Sequence, residues 1–276
     1  MSAVLTLYAG ALRAQFWASL AWQVQYRAAM VIWVLFTVLQ PVMLLSVWSA
    51  VARTGGAPGG DGRVGGYAPA DFAGYFLLSM WVFHLTFNGA LAFFDGRVRR
   101  GEFSTRLLQP LHPIAGDVAD NLAFKLLTLP VLALATLVLI PTFQPRIDPP
   151  GWAVVAFVPA LLLAYLVQFV VTWTVALAAF WFVRIEAIYV AFVLLLRFLS
   201  GQLAPLSLFP VWVQAVAWLS PFRWMLAFPT ELLLGRLSPA EALHGLGMQL
   251  VWSVASVALL ALCWGAAVRR YTAVDG

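Results

Sequence analysis

Residues 152–183 run without a single Asp, Glu, Lys or Arg. So long an apolar stretch cannot be left in water, and about 20 such residues in a helix already cross a ~30 Å hydrocarbon core. Comparable runs occupy 28–52, 72–94, 122–143 and 246–268, with a shorter one at 187–203. Only 10% of the chain is charged, against about a quarter in a soluble domain, and a soluble fold is thereby excluded. A backbone in lipid must satisfy its own hydrogen bonds, which leaves helices or a closed barrel. Barrel strands would alternate over about ten residues, whereas these runs are continuous. The expected fold is an all-α integral membrane protein, a single transmembrane domain over 1–276 with six transmembrane helices. Residues 152–183 exceed one straight span, so that helix should tilt, bend at Pro159 or extend beyond the bilayer. Pro41 is expected to kink the first span.

The segments outside these runs have their own signatures. In residues 1–27, Gln15, Ser19, Gln23 and Arg27 recur every four positions and form one polar stripe. That pattern predicts a helix lying at the membrane interface. Arg13 follows the first apolar residues and no small-residue cleavage site is evident, so a signal peptide is not expected. Residues 53–69, RTGGAPGGDGRVGGYAP, are rich in Gly but lack GK[ST] and a preceding strand. They read as a flexible external loop, and the chain is expected to hold no ATPase of its own. In 204–223, Pro205, Pro210 and Pro221 bracket a nine-residue apolar core, too short to cross and too apolar for an ordinary loop. A re-entrant external segment over 204–229 is expected, with Trp212, Trp218 and Trp224 at headgroup level. Cys263 stands alone, so no internal disulfide can form.

The charges orient the bundle. With six spans and both termini inside, the inner side holds ten of the 16 Lys and Arg residues and the outer side five, with Arg197 in the membrane. The positive-inside tendency therefore places both termini and residues 96–120 in the cytoplasm. These Arg residues are spread over several loops and form no basic domain, so nucleic acid is not an expected partner. Within the spans, His84, Asn88 and Asp95 fall near one helical face expected to turn into the bundle. Arg197 invites two readings, a functional group or a structural ion paired inside the bundle. His112 and Asp117 show the HxxxxD spacing of the catalytic base in some membrane acyltransferases, but two residues at one spacing carry little weight.

Three further pieces occur together: RRGEFSTRLLQPLHP after the second span, GQLAPLSLFP after the fifth and PFRWMLAFPTELLLGRL before the sixth. With the striped N-terminal helix leading into Tyr26–Arg27, the chain resembles permease subunits of type-2 ABC transporters. It looks most like a bacterial branch that often pairs two different permeases with one ATPase. The resemblance implies a multi-pass protein of the bacterial inner membrane that is not itself an enzyme. Its partners would be ABC ATPase subunits carrying ATP and Mg, a second permease of the same or different sequence, and membrane lipid; export is the expected direction. It also implies a short coupling helix docking into each ATPase, which falls here on Gly101, Glu102, Phe103, Arg106, Leu107, Leu108 and Pro110. His84, Asn88 and Arg197 become candidates for the translocation path or dimer seam. The alternative, a secondary transporter or channel, would need its own coupling-ion site and often an internal repeat.

Overall fold

Prolines and caps start several of the long helices. The computed structural model describes residues 2–54, 63–109 and 111–271. In chain order the helices are α1 (Ser2–Gln25), α2 (Arg27–Thr54), α3 (Pro69–Thr86), α4 (Ala90–Arg99), α5 (Glu102–Leu107), α6 (Pro113–Phe143), α7 (Gly151–Ala176), α8 (Glu186–Leu199), α9 (Val211–Leu219), α10 (Phe222–Met225), α11 (Ala227–Leu233) and α12 (Pro239–Arg270). Pro69, Pro113 and Pro239 sit at first helical positions, where the missing N–H costs nothing. Before α12, Ser238 and Glu241 cap each other's backbone N–H groups at 3.3 and 2.8 Å. Pro41, Pro130, Pro141 and Pro159 all lie inside continuous helices.

Among the described residues, five helices are long and apolar enough to cross a membrane: Ala28–Ala52, Pro69–Arg99 (α3 and α4 together), Pro113–Phe143, Gly151–Phe180 and Pro239–Arg270. The run at 187–203 becomes α8, which has 14 residues and measures roughly 21 Å at the helical rise. The long run at 152–183 resolves by extension, since α7 tightens into a 3-10 turn over Leu177–Phe180. The third span begins nine residues before the apolar run does, because His112 and Pro113 start the helix as soon as the chain leaves the preceding loop. Lys125, which is one of the ten inner-side charges by its place at the start of the third apolar run, is buried well inside α6. Removing it from the count leaves the positive balance pointing the same way.

α12 packs along α7, α1 along α6 and α2 against α3. Gly245 allows the close approach of α12, since a Cβ there would fall 2.0 Å from the Phe228 ring. Gln249 then reaches the carbonyls of Ala160 and Trp224 at 3.0 and 2.8 Å. The polar stripe of α1 turns toward α6: Ser19 and Gln23 are buried, while Leu7, Trp17 and Trp22 are exposed.

The stretch from Ser200 to Leu234 folds into short pieces, none long enough to cross. Tyr75 Oη donates to the Gly201 carbonyl at 2.7 Å and Trp48 Nε1 to the Leu203 carbonyl at 3.0 Å, tying this stretch to α3 and α2. Gly201 has φ +82°, and a Cβ there would lie 2.6 Å from Tyr75 Oη, so only Gly fits. Of the three Trp residues expected at headgroup level, Trp212 and Trp218 are exposed. Trp224 is buried instead, donating to the Trp218 carbonyl at 3.2 Å and packing on Phe228.

Candidate coupling site

α5 follows α4 across a single left-handed residue, Gly101, with φ +71°. That turn reverses the chain after the Arg-rich end of α4 and presents six residues as a separate short helix. The helix has two faces. Phe103 is fully buried, its ring 5.1 Å from Phe94 and 5.2 Å from Phe180. Leu107, one turn on, packs into the same cluster. Ser104 Oγ meets Tyr271 Oη at 2.9 Å, joining α5 to the end of α12. The opposite face carries Glu102, Thr105, Leu108 and Gln109, all exposed, with Leu108 at 88%.

Behind α5 sits an ionic hub. Asp117, on the first turns of α6 and 5% exposed, accepts from Arg97 of α4 and Arg106 of α5, both at 2.7 Å through Oδ1. Its Oδ2 accepts from Trp173 Nε1 of α7 at 2.9 Å. A buried carboxylate is tolerated when paired and hydrogen-bonded in this way. Arg106 also reaches Asp120 at 3.7 Å, and Asp120 is bonded to Ser19 and, at 3.1 Å, to Gln15 of α1. Gln23 donates to the Asp120 carbonyl at 2.9 Å. One short chain of contacts thus links α1, α4, α5, α6 and α7.

This arrangement divides the residues that sequence reasoning grouped together. Glu102 and Leu108 face outward; Phe103, Arg106 and Leu107 face the bundle; Gly101 is the turn; Pro110 lies outside the described residues. Glu102 is held by Arg100, which donates to it at 2.5 Å, and that bond keeps its carboxyl below the usual carboxylate range. The role of Asp117 as the partner of Arg97 and Arg106, and the places of Asp120, Thr105 and Gln109, are not in the sequence reading. The signal for the first two was present, as two acids one turn apart directly after an Arg-rich stretch. No hydrogen bond or ion pair joins His112 to Asp117 among the described residues; Asp117 is taken up by Arg97, Arg106 and Trp173. His112 Nδ1 accepts from the Ile114 N–H at 3.3 Å, and burial holds its pKa below the ordinary value.

Of the path candidates, His84 and Asn88 are both buried and Arg197 lies apart from them on an exposed position. His84 is buried, with Nε2 at 2.9 Å from Thr128 Oγ1, a helix–helix hydrogen bond. Asn88 is also buried, but it belongs to an interruption between α3 and α4, so His84, Asn88 and Asp95 do not share one helical face. Arg197 is exposed beside Leu194 and Phe198 and pairs with no described residue, so the pairing within the bundle considered above is not made. A cavity bounded by Thr37, Gln40, Ser79 and Gln202 has about 20 Å³, room for about one water.

No curated protein and no solved structure matches the chain. A profile of the ABC-2 family transporter proteins matches residues 61–274, from the loop before α3 to beyond α12, including all of α5 and Arg97, Arg106 and Asp117 of the hub behind it. Apolar helices sufficient for repeated crossing and a match over most of its length identify the chain as a member of the ABC-2 family of transporter proteins.

Proposed function

We propose that the chain is the permease subunit of an ATP-driven exporter, forming the translocation path with a second permease and driven by separate ATPase subunits. The observation that carries this reading is the two-faced α5. Its outer face, Glu102, Thr105, Leu108 and Gln109, is exposed, with Glu102 held only by the neighbouring Arg100 among the described residues, while its inner face is wired through Phe103 and Arg106 into several helices. A force applied to α5 by a soluble ATPase would reach the bundle through stiff contacts, the requirement for a ligand bound elsewhere to bias a two-state membrane element. Passage between two permeases suits the water-sized cavity within one copy, and it would set Arg197 of α8 toward the seam.

The test is purification of the tagged protein from its native membrane. A co-purifying ATPase with a Walker motif is the expected result; transport by the chain alone in ATP-free liposomes would sink the proposal in favour of a secondary transporter or channel.

In this reading α8 is the fifth of six crossings, the stretch 204–229 re-enters from outside, α1 lies at the inner interface and both termini are cytoplasmic. In a Cys263→Ser background, Val211→Cys on α9 should react with an impermeant maleimide in intact cells. Arg99→Cys should react only after permeabilisation. The reverse pattern would invert the topology.

A further inference from the structure

The second span is not one helix. α3 stops at Thr86 and α4 begins at Ala90, with Phe87 extended between them (φ −58°, ψ 141°). No proline forces the interruption. The carbonyl it frees is met by side chains of a neighbouring helix: Lys125 Nζ and Asn121 Nδ2, one turn apart on α6, donate to the Phe87 oxygen at 2.7 and 3.1 Å. Tyr165 of α7 donates to Asn121 Oδ1 at 3.2 Å, which turns the Asn121 amide N–H₂ toward Phe87. Asn88 Oδ1 accepts from the Ala90 N–H at 3.3 Å at the start of α4. Interrupted helices persist at membrane depth where other groups re-satisfy the backbone in this way. Lys125 is 6% exposed and forms no ion pair among the described residues, so its described hydrogen bond goes to that carbonyl.

The interruption also marks a change of packing partners. Above it, Phe72 and Phe76 of α3 join a cluster with Leu45 and Ala52 of α2, while Leu77 and Met80 join Val34 and Leu132. Below it, Leu91 and Phe94 of α4 belong to the cluster that holds Phe103, Trp173 and Phe180. Between these apolar clusters lies a buried polar layer of His84, Thr86, Asn88, Lys125 and Thr128. Close-packed apolar cores resist deformation. A hydrogen-bonded layer between them can exchange partners without opening a void. Gly89 supports this: its φ is −92° and a Cβ would meet nothing nearer than the Phe93 ring at 3.8 Å. Glycine is not sterically required there, and its effect is to leave the segment conformationally free.

We propose that Phe87–Gly89 is a joint in the second span, across which movement of α5 and α4 is delivered to the rest of the bundle, and that Lys125 is the positioning residue that sets its resting angle. The inference rests on the permease reading above. α4 and α5 move as one lever because the Gly101 turn and the Phe94–Phe103 contact join them; its swing re-pairs Arg97 and Arg106, which rest on Asp117 of α6. When the lever swings, the Phe87 carbonyl exchanges its donors on α6; when it returns, Lys125 and Asn121 restore the first arrangement.

The test uses the complete permease–ATPase complex in nanodiscs, on a Cys263→Ser background, with two spin-label pairs read with and without trapping by ATP and vanadate. Arg99→Cys with Gln144→Cys reports the lower half of the span against α6, and Ala70→Cys with Gln144→Cys reports the upper half. Trapping should shift the lower pair by about 2 Å or more, the scale of helix shifts in switching proteins, and leave the upper pair in place. Lys125→Met should broaden the lower-pair distribution before any nucleotide is added, and Lys125→Arg, which keeps donors, should narrow it again. Gly89→Ala, which the structure accommodates, should reduce the trapped shift even if Lys125→Met does not insert. The joint is overturned if both pairs move together, if neither moves while ATP is hydrolysed, or if Gly89→Ala leaves the shift unchanged. Lys125→Met matching wild type in both states overturns the role of Lys125. If no ATPase binds at all, the permease reading falls and takes the joint with it; an ATPase that binds and turns over on a rigid span removes the joint alone.

Discussion

Asp117→Ala is expected to be the most damaging single change around α5. It leaves the guanidiniums of Arg97 and Arg106 and the Trp173 N–H without their shared acceptor. Breaking a buried pair by removing one partner costs about 3–5 kcal/mol, because the remaining charge stays desolvated. Arg97 and Arg106 are 18% and 24% exposed at their side chains, so some water reaches them and the lower end of that range applies. The measurement is thermal stability in detergent, where a fall on the order of 10 °C would match such a loss. Asp117→Asn keeps an acceptor and should recover part of it. A melting temperature unchanged in Asp117→Ala would mean that the hub contributes nothing to holding α5 on the bundle.

The second large effect is expected on binding, with stability untouched. Glu102→Lys together with Leu108→Asp reverses the character of the outer face of α5 while leaving Phe103, Arg106 and their contacts alone. An anchoring residue lost from an interface typically costs 2 kcal/mol or more, about a 30-fold loss of affinity. Pull-down of the ATPase should therefore fall by at least an order of magnitude at an unchanged melting temperature. Wild-type capture by this double variant would move the docking surface off α5. Arg106 is the wrong residue for such a test: it is bonded to Asp117 and Asp120, and its loss would mix unfolding with uncoupling.

The contrast between these experiments shows where sequence reading stopped. The motif after the second span assigns its residues to one surface, whereas the structure divides them between two faces of α5. A helix of six residues is too short for periodicity to separate an inner from an outer stripe. The inner stripe became visible only when Phe94, Phe180 and Trp173 arrived from distant parts of the chain to bury Phe103. The polar stripe of α1 was read correctly as a stripe and assigned to the membrane surface. Its occupant is Asp120, more than 90 positions away, and no local pattern could have named it. Of the two readings of Arg197, the structural one needs a partner within the bundle, and the residue lies exposed with none among the described residues.

What the sequence determined by itself was the solvent and the class of backbone. Apolar runs of about 20 residues leave a chain only helices in a bilayer, and that constraint acts on each segment separately. The tertiary structure alone decided where a helix is interrupted and what holds it so. Phe87–Asn88–Gly89 looks like the middle of an uninterrupted run, because hydropathy counts transfer energies and not hydrogen bonds. The freed Phe87 carbonyl is satisfied because Lys125 and Asn121 stand opposite it on α6, and that meeting follows from packing between helices that the chain order does not reveal.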